Sequence, residues 1–224
     1  KSSTSLEKDL WIPAFLYPFL TLVCGTSFFV LRSSVTGRCE SVGLRKNKWI
    51  WTDYYIYIFT KYDTNAAGSK KSFNNYQVGE LIDHIDGNTI CEADHLFATR
   101  LWQNNSRVHF DINAREDKKR LIYGGHIISL VRALSFNGLE NAQMIVGING
   151  GTHANPAFAE DTIYCWSEVL DKIDLNKRNI AALRLRSVGT KEKNHNMKVK
   201  NDDGRYLPNV VLDFDYWVLV PKEL

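Results

Sequence analysis

Two short stretches carry the residue types from which a proton-transfer site can be built. In Trp102-Gln-Asn-Asn-Ser-Arg-Val-His-Phe-Asp111, a run of small amide and hydroxyl side chains leads into Arg107 and, two residues later, His109. Asn and Ser bond back to their own backbone and favour turns, so the amides describe a loop but leave the histidine unexplained. Imidazole titrates near neutrality, and one ring can take a proton and later return it. The second stretch, Tyr123-Gly-Gly-His126, precedes the apolar run Ile127 to Leu134. Gly124 and Gly125 allow a close backbone approach, and the first N–H groups of a following helix would point at developing negative charge. From spacing alone each stretch also has a plainer reading: His109 as a hydrogen-bonded ring closing a turn, the two glycines as a tight strand-to-helix turn.

The elements that must position these residues follow from hydrophobic period and turn chemistry. Val78 to Gly87 reads as extended. Thr89-Ile-Cys-Glu92 has the pattern of a capping box, heading a helix whose apolar positions Ile90, Ala93, Phe97 and Leu101 keep helical spacing. The run after Gly125 predicts a second helix, buried on most of its circumference and closed by Ser135-Phe-Asn-Gly138. Four extended segments follow: Ala142 to Asn149, Thr162 to Leu170, Ile180 to Val188 and Val210 to Val220. In the last, Leu212, Phe214, Tyr216 and Val218 face one way while Asp213, Asp215 and Trp217 face the other. Arg184 and Arg186 alternate in the same manner, and cross-strand pairing with Asp213 and Asp215 is their expected use. A buried helix with an antiparallel sheet around it is an α+β arrangement.

The totals narrow the function classes. A chain of 224 residues with 44% hydrophobic content has a substantial core, and 28 basic against 25 acidic residues leave a net charge of +3 without a basic arm. Nucleic acid is therefore not the expected partner, whereas an anionic small molecule is compatible. Lys118, Lys119 and Arg120 could attract phosphate, although a solvated charged face is the default. Cys24, Cys39, Cys91 and Cys165 show neither a Cys-x-x-Cys pair nor zinc-finger spacing, so reduced thiols in a cytoplasmic protein, with no metal site, are expected. The segment Leu10 to Leu31 lacks charge and is long enough for a membrane helix, but Pro13, Pro18, Gly25 and its β-branched and aromatic residues favour strands and a turn. Lys48 to Tyr62 reads as a further strand, and the polar stretch at 63–75 as a linker.

The order of His109, RLIYGGHIISLVRALSFNGLENAQ, INGGTHANPAFAEDTIYCWSEVLDK and the strands LRLRSVGTK and VLDFDYWVLVPK resembles the MaoC-like acyl-CoA dehydratases of the hotdog fold. Within that family the chain looks most like the mesaconyl-CoA hydratases, also called β-methylmalyl-CoA dehydratases. The resemblance implies a C-terminal hotdog over residues 76–224 and remnant strands of a second, N-terminal hotdog over 1–62. It further implies a hydro-lyase acting on a branched, α,β-unsaturated acyl-CoA thioester, with coenzyme A entering as part of the substrate and no other cofactor. His109 would carry the proton, Gly125 would bind the thioester carbonyl, and Tyr123 and Gly124 would line the same opening. The wider family has Asp-x-Asn-Pro-x-His, so Asn104, five residues before His109, stands where the acid would be and would hold the water. Glu160-Asp161 replaces a Gly-Asp turn, which implies an altered or strained loop there. A hotdog thioesterase and a non-catalytic hotdog remnant are the alternatives. One hotdog half leaves a sheet edge and face uncovered, so a homodimer is expected, with Trp49, Tyr55, Tyr57 and Phe59 as candidate contact residues.

Overall fold

Alternation of inward and outward side chains sets the architecture. Strands β1 (Leu81–Thr89), β2 (Met144–His153), β3 (Thr162–Lys177), β4 (Ile180–Thr190) and β5 (Val210–Pro221) form one antiparallel sheet in the order β1-β3-β4-β5-β2. These positions come from a computed structural model that describes residues 61–177, 179–193 and 196–222. Among the described residues two α-helices accompany the sheet: α1 (Glu92–Leu101) and α2 (Gly124–Leu134). The expected linker at 63–75 contains two 3-10 turns, at Thr64–Ala67 and Phe73–Asn75. It is tied to the domain by the Asn141 side-chain amide, which donates to the carbonyls of Ser69 and Lys71. The remnant N-terminal strands, the Leu10 to Leu31 segment and the four aromatic contact candidates lie outside the described residues. Among the described residues no helix is long and apolar enough to cross a membrane.

The inner face of the sheet receives α2. Leu183 and Leu185 from β4, Leu212, Phe214, Tyr216 and Val218 from β5, and Ile163, Cys165 and Val169 from β3 join Ile127 and Val131 of α2 in one core. Side-chain alternation in β5 is thus as its sequence predicts. The outer face carries the paired charges. Arg184 and Asp215 lie 2.6 Å apart and Arg186 and Asp213 2.7 Å, each pair also joined through the guanidinium Nε. The backbone register places Arg186 opposite Asp215, so both ion pairs are diagonal across β4 and β5. Apolar clusters flank them: Ile180, Ala182, Trp217 and Leu219 on one side, Trp166, Val188, Val199 and Val210 on the other.

Three expectations need correction or refinement. Helix α2 buries only Ile127 and Val131 fully; its other residues are half-buried, and Ala133 is exposed. Ile128, Leu130 and Leu134 pack on the same core while staying partly exposed, so the helix is enclosed on most sides but fully sealed only along Ile127 and Val131. Helix α1 is turned the other way round from its apolar spacing: His95 and Thr99 are buried, while Phe97 is 68% exposed and Leu101 47%. Burial of these two polar residues is possible because each has a partner, His95 through the Tyr123 amide and Thr99 through the His95 carbonyl. The capping box does not form. Thr89 belongs to β1 and its hydroxyl bonds Thr162 at 2.8 Å, leaving Cys91 as an N-cap with no side-chain bond.

A close approach fixes the height of α2 above the sheet. A Cβ at Gly189 would stand 2.6 Å from Val131 Cγ2, so the helix rests where β4 has no side chain. At the far end Gly138, at φ +97°, follows the helix terminus, and its carbonyl accepts from the buried Tyr76 hydroxyl at 3.0 Å. Glu160 has φ +74°, a left-handed conformation in which a Cβ is strained. It is held there because its amide donates to Ile90 O at 3.0 Å while Ile90 N donates to Asp161 O at 2.9 Å. The altered Gly-Asp turn is therefore a strained one.

Two stability predictions follow from these contacts. Gly189→Ala should destabilise the fold by about 1–3 kcal/mol through overpacking, and in the presence of Val131→Ala its cost should shrink, a coupling that a double-mutant cycle in urea would measure. Simple additivity of the two costs would contradict the steric account. Glu160→Gly should stabilise by roughly 0.5–1 kcal/mol by removing the left-handed penalty, net of the entropy that glycine adds to the unfolded chain. A lower urea midpoint would show that the Glu160 side chain contributes more than its backbone costs.

Candidate active site

The opening at the N-terminus of α2 gathers most of the residues singled out by chemistry. His109 ends a short 3-10 turn, Arg107–His109, whose closing amide bonds Ser106 O at 3.1 Å. The turn is pinned to the strand-like segment before α2, since Leu121 N donates to Val108 O at 2.9 Å. The same segment orients the ring: His109 Nδ1 lies 2.8 Å from the carbonyl oxygen of Leu121. A carbonyl only accepts, so Nδ1 carries the proton and Nε2 keeps a free lone pair. The plainer reading of a histidine closing a turn and the proton-carrying reading thus describe the same geometry.

Tyr123 is the N-cap of α2, and its ring centroid stands 5.9 Å from that of His109. Its phenol folds over the helix end, where a Cβ at Gly125 would meet Tyr123 Cε1 at 2.6 Å. A Cβ at Gly124 would meet His153 Nε2 at 2.5 Å. Both glycines are therefore required by close packing of rings around them. The first amides to bond Tyr123 O are those of His126 at 2.9 Å and Ile127 at 3.3 Å. The amides of Gly124 and Gly125 precede them and are not spent inside the helix. Two free N–H groups, one imidazole lone pair and a phenol are thereby brought to one opening.

Asn104 is placed differently. Its side-chain oxygen accepts from Ser106 N at 2.9 Å, an Asx turn that shapes the loop entering His109. The expected phosphate-attracting trio is largely engaged with the protein. Arg120 bonds Glu92 at 2.7 Å and the Phe110 carbonyl at 3.0 Å, and Lys118 reaches Asn113 at 3.1 Å. Only Lys119, 5.7 Å from the Phe158 ring centroid, remains directed at an aromatic face, which Arg115 and Lys191 share.

One residue escaped the sequence reading altogether. His95, on α1, is fully buried at the heart of the opening. Its ring lies 6.4 Å from His109 and 6.2 Å from His126, and its Nε2 accepts the backbone N–H of Tyr123 at 3.0 Å. Burial lowers its pKa to about 4, helped by the neighbouring His126 and His109. His126 and His153 are also shifted down by burial. The His126 ring packs on His95 and the His153 ring on Gly124. Sequence spacing hides this cluster because His95 sits amid a helix whose apolar residues point to solvent.

Comparisons with known proteins match this geometry to a lineage. The chain is 56% identical over 164 residues to mesaconyl-CoA hydratase of Cereibacter sphaeroides, covering 73% of this chain and 48% of that protein. It is 51% identical over 173 residues to β-methylmalyl-CoA dehydratase of Chloroflexus aurantiacus, covering 75% and 49%. The chain thus spans about half the length of the curated relatives it matches. A crystal structure of a MaoC domain protein dehydratase from Chloroflexus aurantiacus superposes with a TM-score of 0.70 at 51% identity, over 73% of this chain and 48% of that one. A Mycobacterium tuberculosis protein with a double hotdog fold shares the fold alone, with 18% identity and a TM-score of 0.54 over 81% of this chain and 50% of that one. No family model matches the chain. Sequence identity and topology agree in giving this chain the hotdog fold and a close likeness to about half the length of the MaoC-like dehydratases.

Proposed function

We propose that the protein is a hydro-lyase that reversibly adds water across the double bond of a branched enoyl-CoA thioester of the mesaconyl-CoA type. The observation that carries this reading is the setting of His109: its Nδ1 is committed to Leu121 O, and its ring stands 5.9 Å from that of Tyr123, the N-cap of the helix whose Gly124 and Gly125 amides are unspent. In the hydration direction, Nε2 of His109 takes one proton from water as the oxygen bonds to C3. The double-bond electrons move toward the thioester, whose oxygen gains charge, and the Gly125 amide donates to that oxygen. His109 then returns the proton to C2, so one water is consumed and the ring ends neutral. Such a histidine contributes about 10²–10⁴ in rate, and an amide at the oxyanion about 10²–10³. Tyr123 and Gly124 shape the wall of the opening.

The same reading makes the acyl-CoA the partner and coenzyme A part of the substrate, with no further cofactor required by the proton bookkeeping. It also extends to assembly. The half-buried faces of α2 suit cover by a second hotdog, supplied by the rest of the chain or by a second copy.

Incubation with mesaconyl-CoA, followed by mass spectrometry, should show a gain of one water. Release of free coenzyme A would point to a thioesterase, and an unchanged substrate to a non-catalytic hotdog. His109→Ala should lower the hydration rate by about 10²–10⁴ with the thermal unfolding midpoint retained; activity within a few-fold of the parent would remove His109 from the reaction.

Asn104→Asp tests the water-holding position separately. A carboxylate oxygen can keep the bond from Ser106 N, and the second oxygen replaces the amide nitrogen. The expected outcome is a preserved or raised rate. A fall beyond about 10²-fold with unchanged substrate binding would show that the amide N–H is needed.

A further inference from the structure

His95 is buried without being fully satisfied, and this asymmetry is informative. Its Nε2 accepts from the Tyr123 amide at 3.0 Å, so the ring proton must sit on Nδ1. Among the described residues Nδ1, itself buried, has no hydrogen-bond partner. An unmet buried donor typically costs about 1–3 kcal/mol, which an apolar side chain of similar volume would avoid. Stability alone therefore does not favour histidine at this position, whereas the bond to Tyr123 does demand an acceptor. That bond reaches the residue from which α2 departs, whose carbonyl starts the helix and whose ring packs on both His109 and Gly125.

We propose that His95 is a positioning residue of the site: a neutral ring, protonated on Nδ1, that holds the Tyr123 amide and thereby sets the helix end and the aromatic wall against His109. The inference rests on the reading of that opening as the hydration site. The groups around His95 favour neutrality on balance. Burial first, then His126, from α2, His109, from the 3-10 turn, and Arg120, from the segment leading to Tyr123, oppose a charge on it, while Glu92, on its own helix, favours it. Protonation would also convert Nε2 from acceptor to donor, setting it against the Tyr123 N–H. His95 would thus stay neutral across the pH range in which an ordinary imidazole titrates.

His95→Leu removes the acceptor while keeping bulk, and His95→Gln restores one, because its side-chain oxygen lies as many bonds from Cα as Nε2 does. In the full chain, His95→Leu should lower kcat for mesaconyl-CoA hydration by about 10–10²-fold with KM changed far less. It should also cost the Tyr123 amide its protection from hydrogen exchange. His95→Gln should regain activity to within about fivefold, keep the Tyr123 amide protected, and leave the acid side of the kcat/KM profile where it is in the parent. Ring nitrogen shifts of the parent should show the Nδ1–H tautomer with no titration of His95 between pH about 5 and 8. Full activity in His95→Leu would overturn the proposal. So would an inactive His95→Gln with a protected Tyr123 amide, which would make the ring itself a proton carrier, or a His95 that titrates near neutrality. The nitrogen shifts and amide exchange need no turnover. If the parent hydrates no enoyl-CoA, the hydration reading fails by itself while these two measurements still decide what His95 does.

Discussion

The seat of α2 on the sheet is the contact on which the remaining geometry depends. Val131 descends onto the bare Cα of Gly189, and Ile127, one turn closer to the N-terminus, is the other fully buried residue of the helix. With the helix pressed to β4 by that contact, its two ends have little freedom. Toward its C-terminus Arg132 donates to Ser135 Oγ and to the Ala142 carbonyl, and Tyr76 anchors the Gly138 carbonyl. Toward its N-terminus His153 of β2 packs against Gly124, and the helix opens onto the segment of Leu121 and Tyr123. The opening is a by-product of how closely helix and sheet approach, which is why a packing residue 64 positions after Gly125 in the sequence bears on the chemistry.

A second constraint runs beneath the helix as a buried polar chain. His84 on β1 bonds the Asn137 carbonyl at 2.6 Å and Ser167 Oγ at 2.8 Å; Ser167 meets Ser187 at 2.7 Å, and Ser187 meets Tyr216 at 2.9 Å. Four strands are thus linked in register by side chains on the inner face. Burial lowers the His84 pKa to about 4, so the ring acts as a neutral link with one donor and one acceptor. Because every member has a partner, the chain specifies register without the penalty that a half-satisfied network would impose. The outer face solves the same problem with the diagonal Arg–Asp pairs. These are partly solvated and each contributes modestly, but two guanidinium forks on alternate residues discriminate against a slipped β4–β5 register.

What could be read from the sequence divides along local and nonlocal lines. The alternation in β5 was legible because it depends on neighbours two residues apart; the Arg184 and Arg186 partners, 31 and 27 residues away, were legible because their charges alternate in step with Asp213 and Asp215, and the strain at Glu160 through the family resemblance. The orientation of α1 was not. Its apolar spacing at Ala93, Phe97 and Leu101 defines a helix correctly but not which side faces in. That choice is made by the Tyr123 amide, 28 residues from His95 and invisible to any periodicity. In the Lys118 to Arg120 cluster the sequence shows the cations but not the pairing of Arg120 with Glu92, 28 residues away, which only the fold brings about. His109 lies between the two cases. Its loop was recognisable, but the commitment of its Nδ1 to Leu121 O, which decides what Nε2 can do, required the fold.

The electrostatics of the opening tie these strands of argument together. His95, His126 and His153 are pushed toward neutrality by burial, and all three stand around the start of α2. A helix N-terminus carries roughly half a positive charge in its free amides, so an imidazolium there would be repelled while an anion would be held. Neutral rings leave that partial charge uncompensated and unopposed, with the Gly124 and Gly125 amides as its donors. A thioester oxygen gaining charge would meet fixed dipoles that need no reorganisation, and the proton that leaves water would have His109 as its acceptor. Charging any of the three crowded rings would supply a rival proton donor and break a contact that shapes the site. On the proposed hydration reading, their burial suits a division of labour in which dipoles hold the negative charge and one ring moves the proton.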